Sequence, residues 1–328
     1  MAAVRLGIIG AGWVAGEHAR ALATLGGVEV VAVCDVDPGR AASLVRGARP
    51  YGDLRSLLDR EDLDAVVVAT PPLQHREPAL EVIGREIPTY LEKPIARTLE
   101  DGEAIVAATE ESGVVCAIGY QWHALSLVGR LQALVARDEI GLLLGVSIGP
   151  TASRPWVLDR RQGGGNLLER GSHHLDLARL VGGSVRAVQA TASSVPLARA
   201  AIGEGDIDDA LSMTLCFDSG ALGVVVVAWT APGQPGTYTL DAVAARSSFR
   251  LELDPSFHLH GLRPDGEVDE HEGATPLERS LERFLDAARR GDPAGVACTP
   301  ADALATLRVA LAAERSLEVG RPVEVGKQ

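Results

Sequence analysis

Six residues near the N-terminus constrain this chain more than any others: Gly10-Ala-Gly12-Trp-Val-Ala15. They sit between a strand-like apolar run, Val4-Arg-Leu-Gly-Ile-Ile9, and a helical pattern from Glu17 to Leu25. Gly10 permits a tight turn, Gly12 lets backbone approach a pyrophosphate at the positive helix N-terminus, and Ala15 lets the helix pack close on the strand. Trp13 and Val14 complete the turn and would lie along the same ligand. Such a pattern carries weight only where a strand precedes it and a helix follows, and both are present. The functional reading is a dinucleotide site; the plainer one is that the glycines serve only the chain turn.

A second strand, Val28-Glu-Val-Val-Ala-Val-Cys34, ends at Asp35, about twenty residues past Ala15. An acid there accepts hydrogen bonds from an adenosine ribose and would repel a 2′-phosphate, which favours NAD. Arg40, close by, could accept that phosphate, so NADP stays open.

Short apolar strands alternate with helical patterns as far as residue 123. Further strands are expected at 64–69, 89–91 and 114–118, with helices at 38–45, near 77–84, and at 99–112. Strands buried on both faces and alternating with helices make an α/β fold with a parallel, doubly wound Rossmann sheet. After residue 124 the texture changes. A helix at 125–137, a strand at 142–148, a Gly/Pro/Arg-rich loop at 149–165 and a helix at 169–181 precede strands at 185–193, 210–217, 220–229, 237–244 and 249–253. This predicts a C-terminal α+β domain with an open-faced, mainly antiparallel sheet. Asp218-Ser-Gly220 marks a hairpin. Domains are therefore expected at 1–123 and 124–328. A last helix at about 300–317, capped by Thr299-Pro-Ala-Asp302, is expected to pack back on the first domain. The sheet's open face, with runs such as Val224-Val-Val-Val227, needs cover, and a second subunit is the simplest: a homodimer or homotetramer.

Composition narrows the partners. The 328 residues suit two domains, and a net charge of -13 argues against nucleic acid or anionic membrane as a partner. Cys34, Cys116, Cys216 and Cys298 form no CxxC and read as thiols in a reducing compartment. Leu222 to Trp229 is too short an apolar run to span a bilayer, and no leader pattern precedes Val4. The expectation is a cytoplasmic protein.

Among 31 Lys+Arg, the lysines are Lys93 and Lys327 alone, so Lys93 is the single internal one. It stands in Leu91-Glu92-Lys93-Pro94, at the carboxyl end of a strand, the edge where doubly wound sheets hold ligands. A lysine there can donate to a substrate oxygen, and partial burial would lower its pKa, which arginine cannot match. A cis Pro94 would fix its direction. The plainer reading is a surface turn.

Gly7-Ile-Ile-Gly-Ala-Gly12, Ala69-Thr-Pro-Pro72 with His75, Glu92-Lys-Pro94, Gly163-Gly-Gly165 with Gly171-Ser-His173 and Asp176, and Ser316-Leu-Glu-Val-Gly-Arg-Pro322 occur in this order. In order and spacing the chain resembles the Gfo/Idh/MocA oxidoreductases, the glucose-fructose oxidoreductase and inositol dehydrogenase family, over nearly its whole length. The resemblance implies hydride transfer between NAD(P) and a hydroxyl of a sugar, cyclitol or sugar derivative. It places Thr70, Pro71, Pro72 and His75 along the nucleotide, Glu92 near the nicotinamide ribose, and Lys93 on the reacting hydroxyl.

Glu169 and His173 are spaced i, i+4, so on an α-helix they share a face, and a carboxylate beside a histidine raises its basicity. The family commonly places an acid, usually Asp, and a histidine here as the catalytic pair; Glu is one methylene longer. Asp176 matches a further acidic position that binds substrate or supports the site, while His174 has no assigned role. Against this, Asn166-Leu-Leu-Glu169 is itself a capping-box pattern. A metal reading of Glu169, His173, His174 and Asp176 is set aside, because sequential histidines diverge and no remote ligand with metal-like spacing accompanies them; no metal is expected. Tyr120, Gln121, Trp122 and His123 would shape the substrate pocket, where relatives often carry Asn and Arg. Trp156 offers an aromatic face for a sugar ring, whereas Trp229 reads as packing. Two other functions stay open: a non-catalytic dinucleotide-binding regulator, and NAD-dependent glycoside cleavage.

Overall fold

The computed structural model describes residues 3–151, 154–193, 195, 207–230 and 233–326; Lys327 lies outside them. The chain forms two compact units, Met1–Ala124 with Ala274–Leu304, and Leu125–Gly273 with Ala305–Gln328.

In the first unit, strands β1 (Val4–Ile9), β2 (Val28–Cys34), β3 (Arg49–Tyr51), β4 (Ala65–Val68), β5 (Thr89–Leu91) and β6 (Cys116–Ile118) form a sheet in the order β3-β2-β1-β4-β5-β6. Every pairing is parallel. The order reverses between β1 and β4, which opens the ligand crevice at the carboxyl ends of those strands. Ala65-Val-Val-Val68 is fully buried, as a central parallel strand must be when helices cover both faces. Helix Trp13–Thr24 follows the glycine turn, and starts earlier than the Glu17 boundary expected from hydrophobic pattern. Helix Pro38–Leu44 is capped by the Asp37 carboxylate, which accepts from the Gly39 and Arg40 amides.

Helix Pro276–Arg290 was not expected. Its signal is present nonetheless: Pro276 at the first helical position, then Leu277, Leu281, Phe284 and Leu285 at helical spacing. Leu281, Phe284 and Leu285 enter the first unit's core with Leu6, Ile8, Leu22 and Tyr90. Cys34, Cys116 and Cys298 are buried free thiols. Burial, helped by Asp53 and Asp35, pushes Cys34 up to about 11, and burial and Cys298 push Cys116 up to about 12.

The second unit is built on β7 (Ile140–Pro150), β8 (Val185–Ala192), β9 (Ala210–Phe217), β10 (Leu222–Thr230), β11 (Thr237–Ala244), β12 (Ser248–Asp254), β13 (Phe257–Arg263), β14 (Gly266–Glu272) and β15 (Val323–Glu324). Their order is β14-β13-β12-β11-β7-β10-β9-β8-β15. All pairings are antiparallel except β7 with β10. β13 and β14 escaped the sequence reading because they are rich in His, Asp and Glu, which have weak strand preference; pairing with β12 forms them. Along β10, Gly223, Val225, Val227 and Trp229 are buried, while Val224, Val226 and Ala228 on the opposite face stay half-buried. Trp229 packs with Val157 and Ile207, as its packing reading expects. The helix Pro300–Val319 begins with the expected reciprocal cap, in which the Asp302 amide donates to the Thr299 hydroxyl and that hydroxyl donates to the Asp302 carboxylate at 2.6 Å.

Candidate active site

The glycine turn is forced by its backbone. Gly10 has φ +92, and a Cβ there would stand 2.7 Å from the Ala69 carbonyl oxygen, so no side chain fits between β1 and β4. A Cβ on Gly12 would meet nothing within 4 Å, so that position faces open space. Gly12 precedes helix Trp13–Thr24 and makes no side-chain cap, so no side chain covers the helix start. Trp13 is 64% exposed there and Val14 half-buried. Asp35, at the end of β2, accepts from the Ala11 amide at 2.7 Å and the Asp37 amide at 2.8 Å. Each carboxylate oxygen keeps a lone pair for a ribose hydroxyl. Arg40 lies 3.7 Å from Asp35 Oδ1 and 3.2 Å from Asp37 Oδ2, so two acids already hold its guanidinium. An uncapped helix start, a turn with no room for Cβ and a ribose-side carboxylate fit a dinucleotide.

Thr70, Pro71 and Pro72 follow β4 and lead into a short 3-10 turn, Pro72–Gln74. His75 does not extend along this surface. Its ring is fully buried, with Nε2 2.8 Å from the Thr70 carbonyl and Nδ1 2.9 Å from the Pro94 carbonyl. Burial depresses its pKa despite those carbonyls, so the neutral ring donates to one of them and packs between the β4 loop and the Lys93-Pro94 loop. The Lys93-Pro94 bond is cis, as anticipated.

Beneath Lys93 lies a buried polar column that the sequence reading did not find. Glu92 Oε2 accepts from the Lys93 amide at 2.9 Å, and Oε1 faces His18 Nε2 at 2.7 Å. Burial alone would push the Glu92 carboxyl up; the His18 bond, the Lys93 charge and the Lys93 amide together outweigh it and hold it below the usual range. His18 packs edge-on against Tyr90, with ring centroids 5.3 Å apart, and the Tyr90 hydroxyl meets Ser280 at 3.0 Å. A Cβ on Gly119 would come 3.0 Å from Glu92 Oε2, so the residue opening the next segment must be small. Tyr120 and Trp122 are buried, whereas Gln121 and His123 are half-buried on the 3-10 turn Gln121–Ala124.

In the second unit, the expected helix at 169–181 divides in two. Leu167–Gly171 is π-helical, and Ser172–Gly182 continues as α-helix. The face shared by Glu169 and His173 was inferred for α-helical spacing; the wider π turn changes their angular offset. The Glu169 carboxylate is paired with Arg154, and Arg154 also lies over the Trp156 ring, 5.3 Å from its centroid. The capping-box reading of Asn166 fails. Asn166 is helical itself and donates to the Asp209 carbonyl at 2.7 Å. Gly164 and Gly165, at φ +71 and +63, press against Leu168 and Ile207, so the triplet serves tight loop packing.

His173 is half-buried and His174 fully buried. The His174 ring stacks on Tyr238 with centroids 5.4 Å apart, and burial pushes its pKa down to about 4. His174 is thus a packing residue on the sheet. Asp176 is buried too and accepts from the Thr306 hydroxyl at 2.8 Å, which favours support over substrate contact. Arg170 lies over Tyr238, 4.7 Å from the ring centroid, and donates to Ser147.

Residues 4–120 match the family described as an oxidoreductase family with NAD-binding Rossmann fold, and residues 128–261 match the Gfo/Idh/MocA C-terminal domain. The glucose-6-phosphate 3-dehydrogenase of Bacillus subtilis is 32% identical over 146 residues, which is 44% of this chain and 41% of that protein. The scyllo-inositol 2-dehydrogenase (NAD(+)) of the same organism is 26% identical over 98% of this chain and 96% of its own length. Among solved structures, levoglucosan dehydrogenase in complex with NADH and levoglucosan superposes with a TM-score of 0.88 at 22% identity, covering 99% of this chain and 100% of that one. Among the described residues, no helix is long and apolar enough to cross a membrane.

Proposed function

Because the chain belongs to the Gfo/Idh/MocA family of NAD-binding oxidoreductases, we propose that it oxidises a secondary hydroxyl of a sugar, cyclitol or sugar derivative, or reduces the matching carbonyl. The observation that carries the reading is Lys93. The single internal lysine stands at the end of β5, on a buried carboxylate that its own amide helps to hold. Names among the relatives, a sugar-phosphate dehydrogenase and an inositol dehydrogenase, support the substrate class.

The bound nicotinamide supplies the hydride acceptor. The glycine turn and the start of helix Trp13–Thr24 would hold the pyrophosphate, and Asp35 would hold the adenosine ribose. Lys93 donates a hydrogen bond to the reacting oxygen and stabilises charge developing there. His173 accepts the hydroxyl proton as the C–H hydride leaves. Glu169, paired with Arg154, is the acidic member of this constellation. His75 and His18 position the loops and touch no substrate.

Half-buried Val224, Val226 and Ala228 on one face of β10 support a homodimer or homotetramer through that face, and the free thiols suit the reducing cytoplasm. Sedimentation at micromolar concentration tests the assembly; a monomer would exclude it.

The enzymatic reading is tested by a panel of sugars and cyclitols, followed through nicotinamide absorbance with NAD and NADP. Lys93→Met and His173→Ala are each expected to lose roughly a hundredfold or more in turnover. Near-normal turnover in both variants would sink the assignment. A protein that binds NAD and turns over nothing in the panel would be a regulator instead.

A further inference from the structure

Three of the chain's 8 histidines fall between residues 258 and 271, on the outer strands of the second sheet. Strand register sets them in a block. Glu252 of β12 stands opposite His258 of β13, which stands opposite His271 of β14; the neighbouring row runs Arg250, His260, Asp269. Residues two apart on a strand share a face, so these six side chains project from one side of the sheet.

Two groups in the block are already committed. Arg250 is held by Asp241 through contacts of 2.6 and 2.8 Å. His258 Nε2 lies 2.7 Å from Asp269 Oδ1. With Nε2–H donating this hydrogen bond to Asp269, Nδ1 of His258 keeps its lone pair. Nδ1 faces Glu252 Oε2 at 3.7 Å, and His260 Nε2 faces Glu252 Oε1 at 3.6 Å. Both separations are too long for hydrogen bonds. They come close to the roughly 3.3 Å that separates two ligands of a tetrahedral ion, each about 2.1 Å from the metal. The ligand atoms of Glu252, His258 and His260 all lie within 4.8 Å of one another.

We propose that Glu252, His258 and His260 form a binding site for a borderline divalent transition metal, zinc foremost, on the outer strands of the second unit. Two imidazoles and one carboxylate suit zinc, cobalt or nickel over magnesium or calcium, which prefer all-oxygen shells. Asp269 orients His258 from behind, in the carboxylate–histidine–metal arrangement that fixes a ligand's tautomer. A second trio, His258, Asp269 and His271, has the same proximity, but it would compete for the nitrogen that Asp269 already engages. It is also more exposed: Asp269 and His271 side chains are 72% and 66% accessible, against 31% for Glu252 and 41% for His260. A metal here would pin β12 to β13, and it lies on groups that the proposed oxidoreductase chemistry does not use.

The test uses the untagged full chain, stripped with chelator and titrated with cobalt(II) under visible absorption. One equivalent is expected to give d–d bands of a low-coordinate site, bleached by zinc. His260→Ala and the near-isosteric Glu252→Gln should each weaken binding roughly tenfold or more, and His271→Ala far less. Circular dichroism and metal-free thermal unfolding verify that each variant folds. Absent d–d bands at stoichiometric cobalt, or binding unchanged in folded Glu252→Gln, would overturn the proposal. Binding lost in His271→Ala and kept in His260→Ala would overturn it equally, by moving the metal to the other trio.

Discussion

His18 Nε2 lies 2.7 Å from Glu92 Oε1, so the helix that begins at the glycine turn is bonded to the strand end that carries Lys93. Both groups are nearly removed from solvent. The dinucleotide turn and the lysine are thereby held in one register by a buried pair.

Removing His18 strands a buried carboxylate, and removing Glu92 leaves a buried ring N–H without its acceptor. His18→Leu is expected to destabilise the protein by about 3 kcal/mol, and Glu92→Leu by a similar amount. The double variant should cost clearly less than the sum, because neither partner is left behind. Urea unfolding of all four proteins measures the coupling, and strict additivity would contradict the pairing.

Gly10→Ala forces a Cβ into a residue at φ +92 and to 2.7 Å from the Ala69 carbonyl oxygen. A loss of at least about 2 kcal/mol is expected, together with weakened NAD binding, because β1 and β4 must part. A calorimetric scan with and without NAD reads both effects. Unchanged unfolding temperature would show that the turn tolerates a side chain.

Asp35→Ala removes a charged acceptor on the ribose side of the turn. Its kcat/KM with NAD should fall roughly tenfold or more, with a smaller change for NADP. The quantity to follow is the ratio of the two cofactors' kcat/KM; a ratio that stays put would place the ribose elsewhere.

Stability should depend on pH through His174 and His75, whose burial depresses their pKa. As pH falls below about 6.5, the unfolded chain takes up protons that the folded rings refuse, so stability is lost. For His174 the loss runs from about 6.5 down to its folded pKa of about 4 and then levels off. It amounts to at most roughly 3 kcal/mol. His174→Gln should flatten that part of a denaturation series between pH 4 and 7; an unaltered slope would mean that His174 does not titrate on unfolding.

The polar column under Lys93 was invisible in sequence for a plain reason. His18 and Glu92 are 74 positions apart, and nothing local marks a helix histidine as a carboxylate's partner. Glu169 shows the limit of local spacing. Local spacing suggested a face shared with His173, but the π turn Leu167–Gly171 and the pairing with Arg154 depend on a loop that spacing does not describe. The metal block fails in a third way, because His258, His260 and Glu252 converge only once β12 and β13 are paired in register.

By itself the sequence determined whatever depends on backbone conformation and short-range periodicity. That covers the glycine turn after β1, the carboxylate ending β2, the lone internal lysine after β5 and the capped last helix. These survive because a positive φ, a missing Cβ or a cap acts over a few residues. Tertiary structure alone decided which polar groups are buried and with whom: His75 between two loops, Glu92 on His18, Asp176 on Thr306, His174 on Tyr238. Burial turns on distant packing, and burial decides whether a histidine or carboxylate remains a solvated side chain or becomes part of the buried frame of its own unit.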